Sequence, residues 1–220
     1  QLISYEIPLG LSVVGVILLS GSLRLDVVVA DQTDPFRWNV VVQPLGFLVF
    51  LISAFADEAA NHRTALEQMT ALAAIGLRSY SPRFIDLEGD GSVQHVVDLS
   101  QDQYARLGEL HSEYDIRVTS IGARVGKVKL LDVDDGTHNQ YIPFPKYLAR
   151  DVDRACQLAV ALGTRLLRGF SFYHPRGTDA WDHIPQVVDH LGQVADRCQK
   201  DGLIFGLEVE ANLVGQDGGS

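Results

Sequence analysis

Two carboxylates near the end of the chain have a spacing that suits proton transfer. Glu208 and Glu210 lie at the end of an apolar run, residues 203–209, whose composition predicts a buried β-strand. Side chains two residues apart in a strand project from the same face, so both carboxylates can point toward one site. Carboxylates serve as general acids and bases, and their oxygens are preferred ligands of hard cations such as Mg²⁺.

Two further side chains are candidates for substrate binding. Arg83 lies near the end of the apolar run 77–84, where its guanidinium can either bind a phosphate or hydroxyl group or pair with Asp86. His174 follows the run 166–173 and precedes Pro175, so it is either a substrate contact or a solvated loop residue. Asp57 and Glu58 can belong to the same site or can cap the first helix.

The remaining histidines and the cysteines show no pattern typical of a metal or redox centre. The six other histidines have no ligand spacing, and we expect them at the surface: His62, His95, His111, His138, His183 and His190. Cys156 and Cys198 lie in predicted helices without CxxC spacing, which favours reduced thiols over a disulfide framework.

The segments that position the candidate residues alternate between apolar runs and amphipathic helices. Strands are predicted at residues 48–55, 77–84, 116–121, 166–173 and 203–209, and helices at residues 61–75, from Ser100 onward, 145–162 and 184–201. Ser100 and Gln103 have the spacing of a capping box. The helices end at Gly76, Asp115, Gly163 and Gly202, and this recurrence at intervals of about 40 residues is typical of parallel βα architecture. Polar residues at the strand ends favour a (β/α) barrel over an open doubly wound sheet.

These segments resemble the xylose isomerase-like TIM barrels, a superfamily of sugar phosphate isomerases and epimerases. The similar stretches are ISAFADE, LRSYSPRFID, DLS, IRVTSIG, LLRGFSFYHP and GLEVE, over about residues 52–217. The resemblance implies that Glu208 binds a divalent metal of the Mn²⁺ or Mg²⁺ class and acts as one of two acid/base carboxylates. It also implies a sugar or sugar phosphate as substrate, bound with the help of Arg83, His174 and Glu210.

The resemblance covers only the first five strands of such a barrel. The family draws its other metal ligands from strands six to eight, which leads us to expect a partial barrel that binds metal weakly or not at all and lacks catalytic activity.

The first quarter of the chain has a different character. Residues 1–56 contain only six charged side chains, namely Glu6, Arg24, Asp26, Asp31, Asp34 and Arg37. The uncharged runs 7–23 and 38–56 approach the ~20 apolar residues that a membrane helix needs. A pair of membrane helices is one interpretation. Buried β-strands are the other, because Val27-Val28-Val29 and Val40-Val41-Val42 are β-branched triplets.

This quarter resembles the membrane-embedded H subunit of NADH:quinone oxidoreductase (complex I). The matching pieces are Tyr5-Glu6-Ile7-Pro8 and Gln43-Pro44-Leu45-Gly46-Phe47, and the resemblance makes Glu6 a quinone-site candidate. It ends near Ala56, within a string, ISAFA, that fits both families. We therefore divide the chain into an apolar segment, residues 1–56, and a truncated barrel, residues 57–220, whose first strand begins near residue 48. A junction inside shared sequence indicates recombination or an assembly error between two genes.

Three functions remain open at this stage. The chain is a metal-dependent sugar isomerase or epimerase relative that is incomplete and inactive; or a fragment of the quinone-binding membrane subunit; or a non-catalytic chimeric fragment. The formal net charge of −10 argues against nucleic acid as a partner. We expect the barrel part in the cytoplasm and membrane association if residues 7–56 insert.

Overall fold

The computed structural model describes residues 14–17 and 50–216. Strand β1 (Val14–Ile17) pairs antiparallel with strand β2 (Phe50–Ser53). A strand therefore occupies Val14–Ile17, where the helical interpretation expects a helix. The rest of both apolar runs, together with Glu6, lies outside the described residues. Among the described residues, no helix is both long and apolar enough to cross a membrane.

Short parallel strands follow β2 in the order that the sequence predicts. They are β3 (Ser79–Tyr80), β6 (Arg117–Val118), β7 (Ile121–Val125), β8 (Leu166–Gly169) and β9 (Ile204–Leu207). β3 pairs parallel with β6, and β7, β8 and β9 form a parallel three-stranded sheet in that order. A parallel bridge between Ala54 and Tyr80 connects the end of β2 to β3. The five predicted strand positions are confirmed, and no sheet among the described residues is closed.

Helices alternate with these strands along the chain. They are α1 (Ala65–Ala74), α2 (Gln101–Glu113), α3 (Phe144–Tyr147), α4 (Asp153–Ala161) and α5 (Ile184–Lys200). A π-helical turn, Leu148–Val152, joins α3 to α4 without a break, so the single helix predicted at residues 145–162 is present with an irregular first half. A separate antiparallel pair, β4 (Phe84–Ile85) with β5 (Gln94–His95), branches from the end of β3.

The helix boundaries follow local sequence signals. Ser100 accepts a hydrogen bond from the Gln103 backbone N–H while the Gln103 side chain accepts one from the Ser100 N–H, which confirms the capping box. α1 begins later than predicted, because Thr64 caps it by accepting a hydrogen bond from the Glu67 N–H. Left-handed residues end the helices at the predicted positions, Gly76, Asp115, Gly163 and Gly202.

The main hydrophobic core lies between the helices and the inner strands. Leu107, Ile121, Leu158 and Leu167 are completely buried within it. Cys156 of α4 and Cys198 of α5 face each other across this core with their Sγ atoms 3.8 Å apart, and both are free thiols. The predicted reduced state is therefore what the structure contains, in the interior of the fold.

Candidate functional site

The carboxyl ends of the strands bring charged and aromatic side chains into one group, which we call the strand-end cluster. Its members are Phe55, Asp57, Glu58, Arg83, Lys127, Arg168, Phe170, Glu208 and Glu210. They come from all five parallel strand positions; Arg168 lies in the second half of β8, and the others follow their strands. The ends of parallel strands meet at one edge of a sheet, which is the position where (β/α) barrels carry their active sites.

Phe55 sits between two guanidinium groups at the start of the cluster. The Arg83 guanidinium lies 4.3 Å from the centroid of its ring, and that of Arg168 lies 4.9 Å from it. Both distances are within the range of cation–π attraction. Phe55 itself is buried, so its ring forms a fixed surface against which the two cations are held.

Arg83 is paired with the two acidic residues that follow Phe55. Its Nε and Nη2 donate to the two carboxylate oxygens of Asp57 at 3.2 and 2.9 Å, and Nη2 also donates to Glu58 at 2.8 Å. Burial opposes the charge of Arg83, but the hydrogen bonds and charges of Asp57 and Glu58 outweigh it and raise its pKa.

The structure excludes two of the alternatives that the sequence left open in this region. Arg83 does not pair with Asp86, whose buried carboxylate accepts hydrogen bonds from the backbone N–H groups of Gly89 and Gly91. Asp57 and Glu58 do not cap the first helix, since they form a separate 3₁₀ turn, Ala56–Glu58. Short-range sequence spacing suggested both contacts. The Asp86 carboxylate instead binds the backbone of the loop that connects β4 to β5.

Arg168 links β8 to the candidate catalytic carboxylate. Its Nη1 donates to Oε2 of Glu208 at 2.8 Å, and its guanidinium also lies 5.0 Å from the Phe170 ring centroid. Burial lowers the pKa of Arg168, although the nearby Glu208 carboxylate counteracts this. The Nε atom of Arg168 is buried without a hydrogen-bond partner, between two aromatic rings whose faces are weak acceptors at best.

Glu210 forms an ion pair with a different cationic side chain from the one that pairs with Glu208. Its Oε2 lies 2.8 Å from Nζ of Lys127, which in turn stands 4.3 Å from the Phe170 ring centroid. Burial, reinforced by the charge of Glu210, raises the pKa of the neighbouring Tyr173. The two carboxylates are thus held by separate cations, Arg168 and Lys127, at the same edge of the sheet.

The cluster does not fit a divalent metal ion. Within residues 14–17 and 50–216, no three His, Cys, Asp or Glu side chains are grouped so that they could hold a metal. Each strand-end carboxylate is already paired with a cation, and a divalent ion at Glu208 would meet the positive charge of Arg168. A metal site with Glu208 as its ligand therefore stays a prediction from the resemblance.

His174 lies apart from the cluster, beside a cavity of about 940 Å³. Its Nδ1 is 3.3 Å from Oγ1 of Thr178, and its ring stacks on that of His183 at 5.9 Å. The structure thus brings together Arg83, Glu208 and Glu210 among the predicted site residues but leaves His174 in the neighbouring loop.

Two histidines expected at the surface are buried instead. His95 places Nε2 3.1 Å from the Gly122 carbonyl oxygen, and His111 places Nε2 2.6 Å from the Tyr80 hydroxyl. Burial lowers the pKa of His95 to about 3, with a smaller contribution from the charge of Arg124, and it lowers that of His111 to about 4. The prediction was wrong because a histidine with a fixed hydrogen-bond partner tolerates burial in its neutral form.

Arg168, Lys127 and Phe55 are site residues that were not predicted from the sequence. One signal was present, because Arg168 interrupts the apolar run LLRGF and a charge inside a buried strand requires a partner. Lys127 and Phe55 carry no such signal, since their importance arises from contacts across the strand ends.

A family model described as a xylose isomerase-like TIM barrel matches residues 70–220. The chain belongs to this family. A second family model, NADH dehydrogenase, matches residues 1–64, so the two matches are separated by residues 65–69, the first half of α1.

The first quarter of this xylose isomerase-like chain matches curated relatives. The H subunit of NADH-quinone oxidoreductase from Anoxybacillus flavithermus is 65% identical over 57 residues, which are 26% of this chain and 16% of the relative. The corresponding protein of Bacillus thuringiensis is 56% identical over 57 residues with the same coverage. The chain therefore spans about one sixth of the length of these relatives.

Solved structures resemble about two thirds of the chain. A xylose isomerase-like TIM barrel protein from Mycobacterium smegmatis, in complex with magnesium, has 13% identity and a TM-score of 0.46, covering 68% of this chain and 47% of that one. D-allulose 3-epimerase from Methylomonas sp., in complex with D-allulose, has 20% identity and a TM-score of 0.45, covering 68% and 46%. The xylose isomerase-like chain thus spans about half the length of these structures.

Proposed function

We propose that the part of the chain from residue 57 onward is a sugar-binding unit of the isomerase and epimerase type. In this proposal Glu208 occupies the position of the carboxylate that, in a complete enzyme of this type, would exchange a proton at the carbon next to a sugar carbonyl. The supporting observation is its position directly after β9, where its backbone N–H donates to the Gly169 carbonyl oxygen and its side chain pairs with Arg168. Both contacts fix the direction in which the carboxylate faces.

The chemistry assigns different tasks to the residues of the cluster. Proton transfer next to a carbonyl requires a base on one face of the carbon and an acid on the other. Glu208 supplies the first group, while Arg83 and Glu210 are proposed to contact the hydroxyl or phosphate groups of the substrate. Because each is already held in an ion pair, these side chains stay oriented without substrate, which reduces the entropy lost on binding.

We expect the 220-residue chain to bind sugar without catalysing its isomerisation or epimerisation. The described residues provide one candidate proton-transfer carboxylate, and a Mn²⁺- or Mg²⁺-class ion would have to displace Arg168 to reach it. Weak or absent metal binding is therefore part of the proposal, and we place this unit in the cytoplasm.

Deuterium exchange tests the proposal directly. The protein is incubated with D-allulose or D-fructose in D₂O, with and without Mn²⁺, and binding and carbon-bound deuterium are followed by NMR. We expect sugar binding without deuterium incorporation, and Glu208→Gln serves as the control for background exchange. Deuterium incorporation above that control would contradict the predicted inactivity, whereas absence of any sugar binding would contradict the proposed function itself.

A second candidate function concerns the first quarter of the chain. The 65% identity to the quinone oxidoreductase H subunit over 57 residues supports a quinone reductase membrane fragment, with Glu6 as the inherited quinone-site candidate. Membrane fractionation of the full chain, followed by an alkaline carbonate wash, separates the alternatives. Retention in the washed membrane pellet supports insertion through residues 7–56, and complete release contradicts it.

The division into residues 1–56 and 57–220 is likewise a proposal, as is the chimeric origin of the chain. Its support is that the two family matches end at residue 64 and begin at residue 70. Amplifying one continuous genomic clone across codons 40–70 tests it. A continuous clone supports a genuine fusion, and repeated failure to obtain one supports an assembly error.

A further inference from the structure

The two cysteines of the chain form a contact that the proposed function does not use. Cys156 of α4 and Cys198 of α5 are 42 positions apart in the sequence, yet their Sγ atoms lie 3.8 Å apart. A disulfide joins two sulfur atoms at about 2.05 Å, so the thiols are short of bonding distance by less than ~2 Å. Rotation about a Cα–Cβ bond can displace a sulfur atom by that amount.

An ion pair beside the thiols holds the two helices together. Arg197 precedes Cys198 and donates from Nε and Nη2 to Oδ1 of Asp153 at 2.8 and 2.6 Å. Asp153 is the first residue of α4 and lies about one helical turn before Cys156. Nη1 of Arg197 also donates to Asp201 at 2.8 Å. The packing of α4 against α5 is therefore fixed next to the sulfur atoms, so the thiols are held close to each other before any oxidation.

The two thiols differ in how a small molecule can reach them. Both side chains are completely buried. Cys198 belongs to the last turn of α5, two residues before its end at Lys200, whereas Cys156 has helical residues on both sides. The terminal turns of helices open more readily than their interiors, so we expect a small uncharged oxidant to reach Cys198 first.

The charges around the pair also favour Cys198 as the attacking group. A hydrogen bond from the Cys156 thiol, helped by the positive charge of Arg197, lowers the pKa of Cys198, although burial opposes this. The same contact, together with burial, raises the pKa of Cys156. Thiolate is the form that attacks an oxidant, so Cys198 is suited to react first and Cys156 second.

A bond between these thiols would enclose a strand of the candidate site. The segment between them contains β8 (Leu166–Gly169), which carries Arg168, the partner of Glu208. A disulfide stabilises a fold mainly by restricting the unfolded chain, and its effect grows with the length of the loop that it closes. We therefore expect the bond to restrain β8 and the two helices on either side of it in the sequence.

We propose that Cys156 and Cys198 are a redox-sensitive pair that hydrogen peroxide converts into a disulfide between α4 and α5. The Cys198 thiolate attacks one peroxide oxygen and the O–O bond breaks, which gives a sulfenic acid and a hydroxide that takes up a proton to form water. The Cys156 sulfur then attacks the sulfenic sulfur, and the S–O bond breaks with release of a second water. Two thiols lose two electrons, and one peroxide gains them.

The resting form of this pair is the dithiol. Both cysteines are free in the structure, as a reducing compartment requires, and disulfides that do form in such compartments are usually transient. The chain has two cysteines in all, so no other disulfide within one chain can compete.

Peroxide treatment of the full chain tests the proposal. The folded protein is incubated with hydrogen peroxide, remaining thiols are alkylated in urea, and the intact mass of the monomer is measured without reductant. We expect a loss of two hydrogen atoms, no alkylation and an upward shift of the midpoint of urea unfolding. Dithiothreitol added in urea should restore both thiols.

Variants test the order of attack and the role of the ion pair. Dimedone should trap sulfenic acid at Cys198 in Cys156→Ser about tenfold faster than at Cys156 in Cys198→Ser. Asp153→Ala, which removes the ion pair beside the thiols, should slow disulfide formation. Asp151→Ala is the matched control, since it breaks an exposed ion pair with Arg150 nearby and should leave the rate unchanged.

Several results would overturn the inference. One is the retention of both alkylatable thiols in the folded chain under conditions that consume them in urea. Another is a disulfide found only between two chains, or oxidation of one thiol to sulfinic acid without a crosslink. A crosslinked chain with an unchanged midpoint of urea unfolding would refute the restraint on β8.

Discussion

The Nη1 atom of Arg168 lies 2.8 Å from the Oε2 atom of Glu208, and this ion pair joins β8 to the residue that follows β9. The two partners are buried to different degrees, since 16% of the Arg168 side chain is exposed against 39% of that of Glu208. Removing one partner therefore has a different consequence from removing the other.

We predict that Glu208→Ala destabilises the fold more than Arg168→Met does. Glu208→Ala leaves a buried guanidinium without its counter-ion, at a cost of about 2 kcal/mol in the free energy of unfolding. Arg168→Met keeps an apolar stem between Phe55 and Phe170 and removes an unsatisfied Nε, so we expect a loss below ~1 kcal/mol. Urea unfolding measures both values. Asp151→Ala, which breaks an exposed pair with Arg150, is the control, and a larger loss for Arg168→Met than for Glu208→Ala would contradict the prediction.

Gly126 cannot accept a side chain. It has a φ of +86°, and a Cβ atom there would stand 1.9 Å from the Phe170 carbonyl oxygen, a backbone atom that no rotamer change can move. Its N–H also donates to the Tyr147 hydroxyl at 2.7 Å. We predict that Gly126→Ala lowers the free energy of unfolding by at least about 3 kcal/mol.

Gly192 provides the matched control for this substitution. It lies within α5 with open space around its Cα, so Gly192→Ala is expected to raise stability by about 0.5–1 kcal/mol through helix propensity. Thermal or urea unfolding of the two variants side by side gives the comparison. Equal effects of the two substitutions would show that the close approach to Phe170 is not a constraint.

Stability should fall as the pH is lowered from 7.5 to 5.0. The pKa of His95 is about 3 and that of His111 about 4 in the folded chain, against 6.5 for an unperturbed histidine. The unfolded chain therefore takes up protons as the pH falls through 6.5 while the folded chain does not, so the stabilisation present above pH 6.5 is progressively lost below it. A difference of one pKa unit between the two states corresponds to about 1.4 kcal/mol.

Urea unfolding at several pH values checks this dependence. His111→Gln should flatten the slope, because it removes one of the two buried groups while keeping a side chain that can bind the Tyr80 hydroxyl. A free energy of unfolding that is the same at pH 7.5 and pH 5.0 would rule out the buried neutral state of these histidines.

Both cysteines should resist thiol reagents in the folded chain. Cys156 and Cys198 are completely buried, and the neighbouring thiol together with burial raises the pKa of Cys156. Thiolate is the reactive form, so the raised pKa slows the reaction of Cys156, while burial shields both thiols from the reagent. Ellman's reagent is expected to titrate two thiols in urea and essentially none without it, and rapid reaction of the folded protein would contradict this packing.

Regular elements were predictable because their signals are local. The Ser100–Gln103 capping box, the left-handed residues at Gly163 and Gly202 and the position of Glu208 after a strand all follow from short stretches of sequence. Periodicity and the residues that end helices act within a few positions of the chain, which is why these predictions are confirmed.

Contacts between distant elements were not predictable in the same way. Asp86 is the acidic residue close to Arg83 in the sequence, three positions away. Arg83 pairs instead with Asp57, 26 positions earlier, because β2 and β3 lie side by side. His95 and His111 are buried because a carbonyl and a hydroxyl from other segments meet their rings. A single sequence contains no direct record of such pairings.

The first barrel strand comes from residues that also match the membrane protein family. β2 and Ala54 fall within residues 1–64, whereas Tyr80, to which Ala54 is bridged, falls within residues 70–220. A strand inside an α/β fold and a helix surrounded by lipid are both built from uninterrupted apolar residues. Such a stretch is conformationally ambivalent, so residues that carry the pattern of a membrane protein family are also able to form the opening strand of an α/β fold.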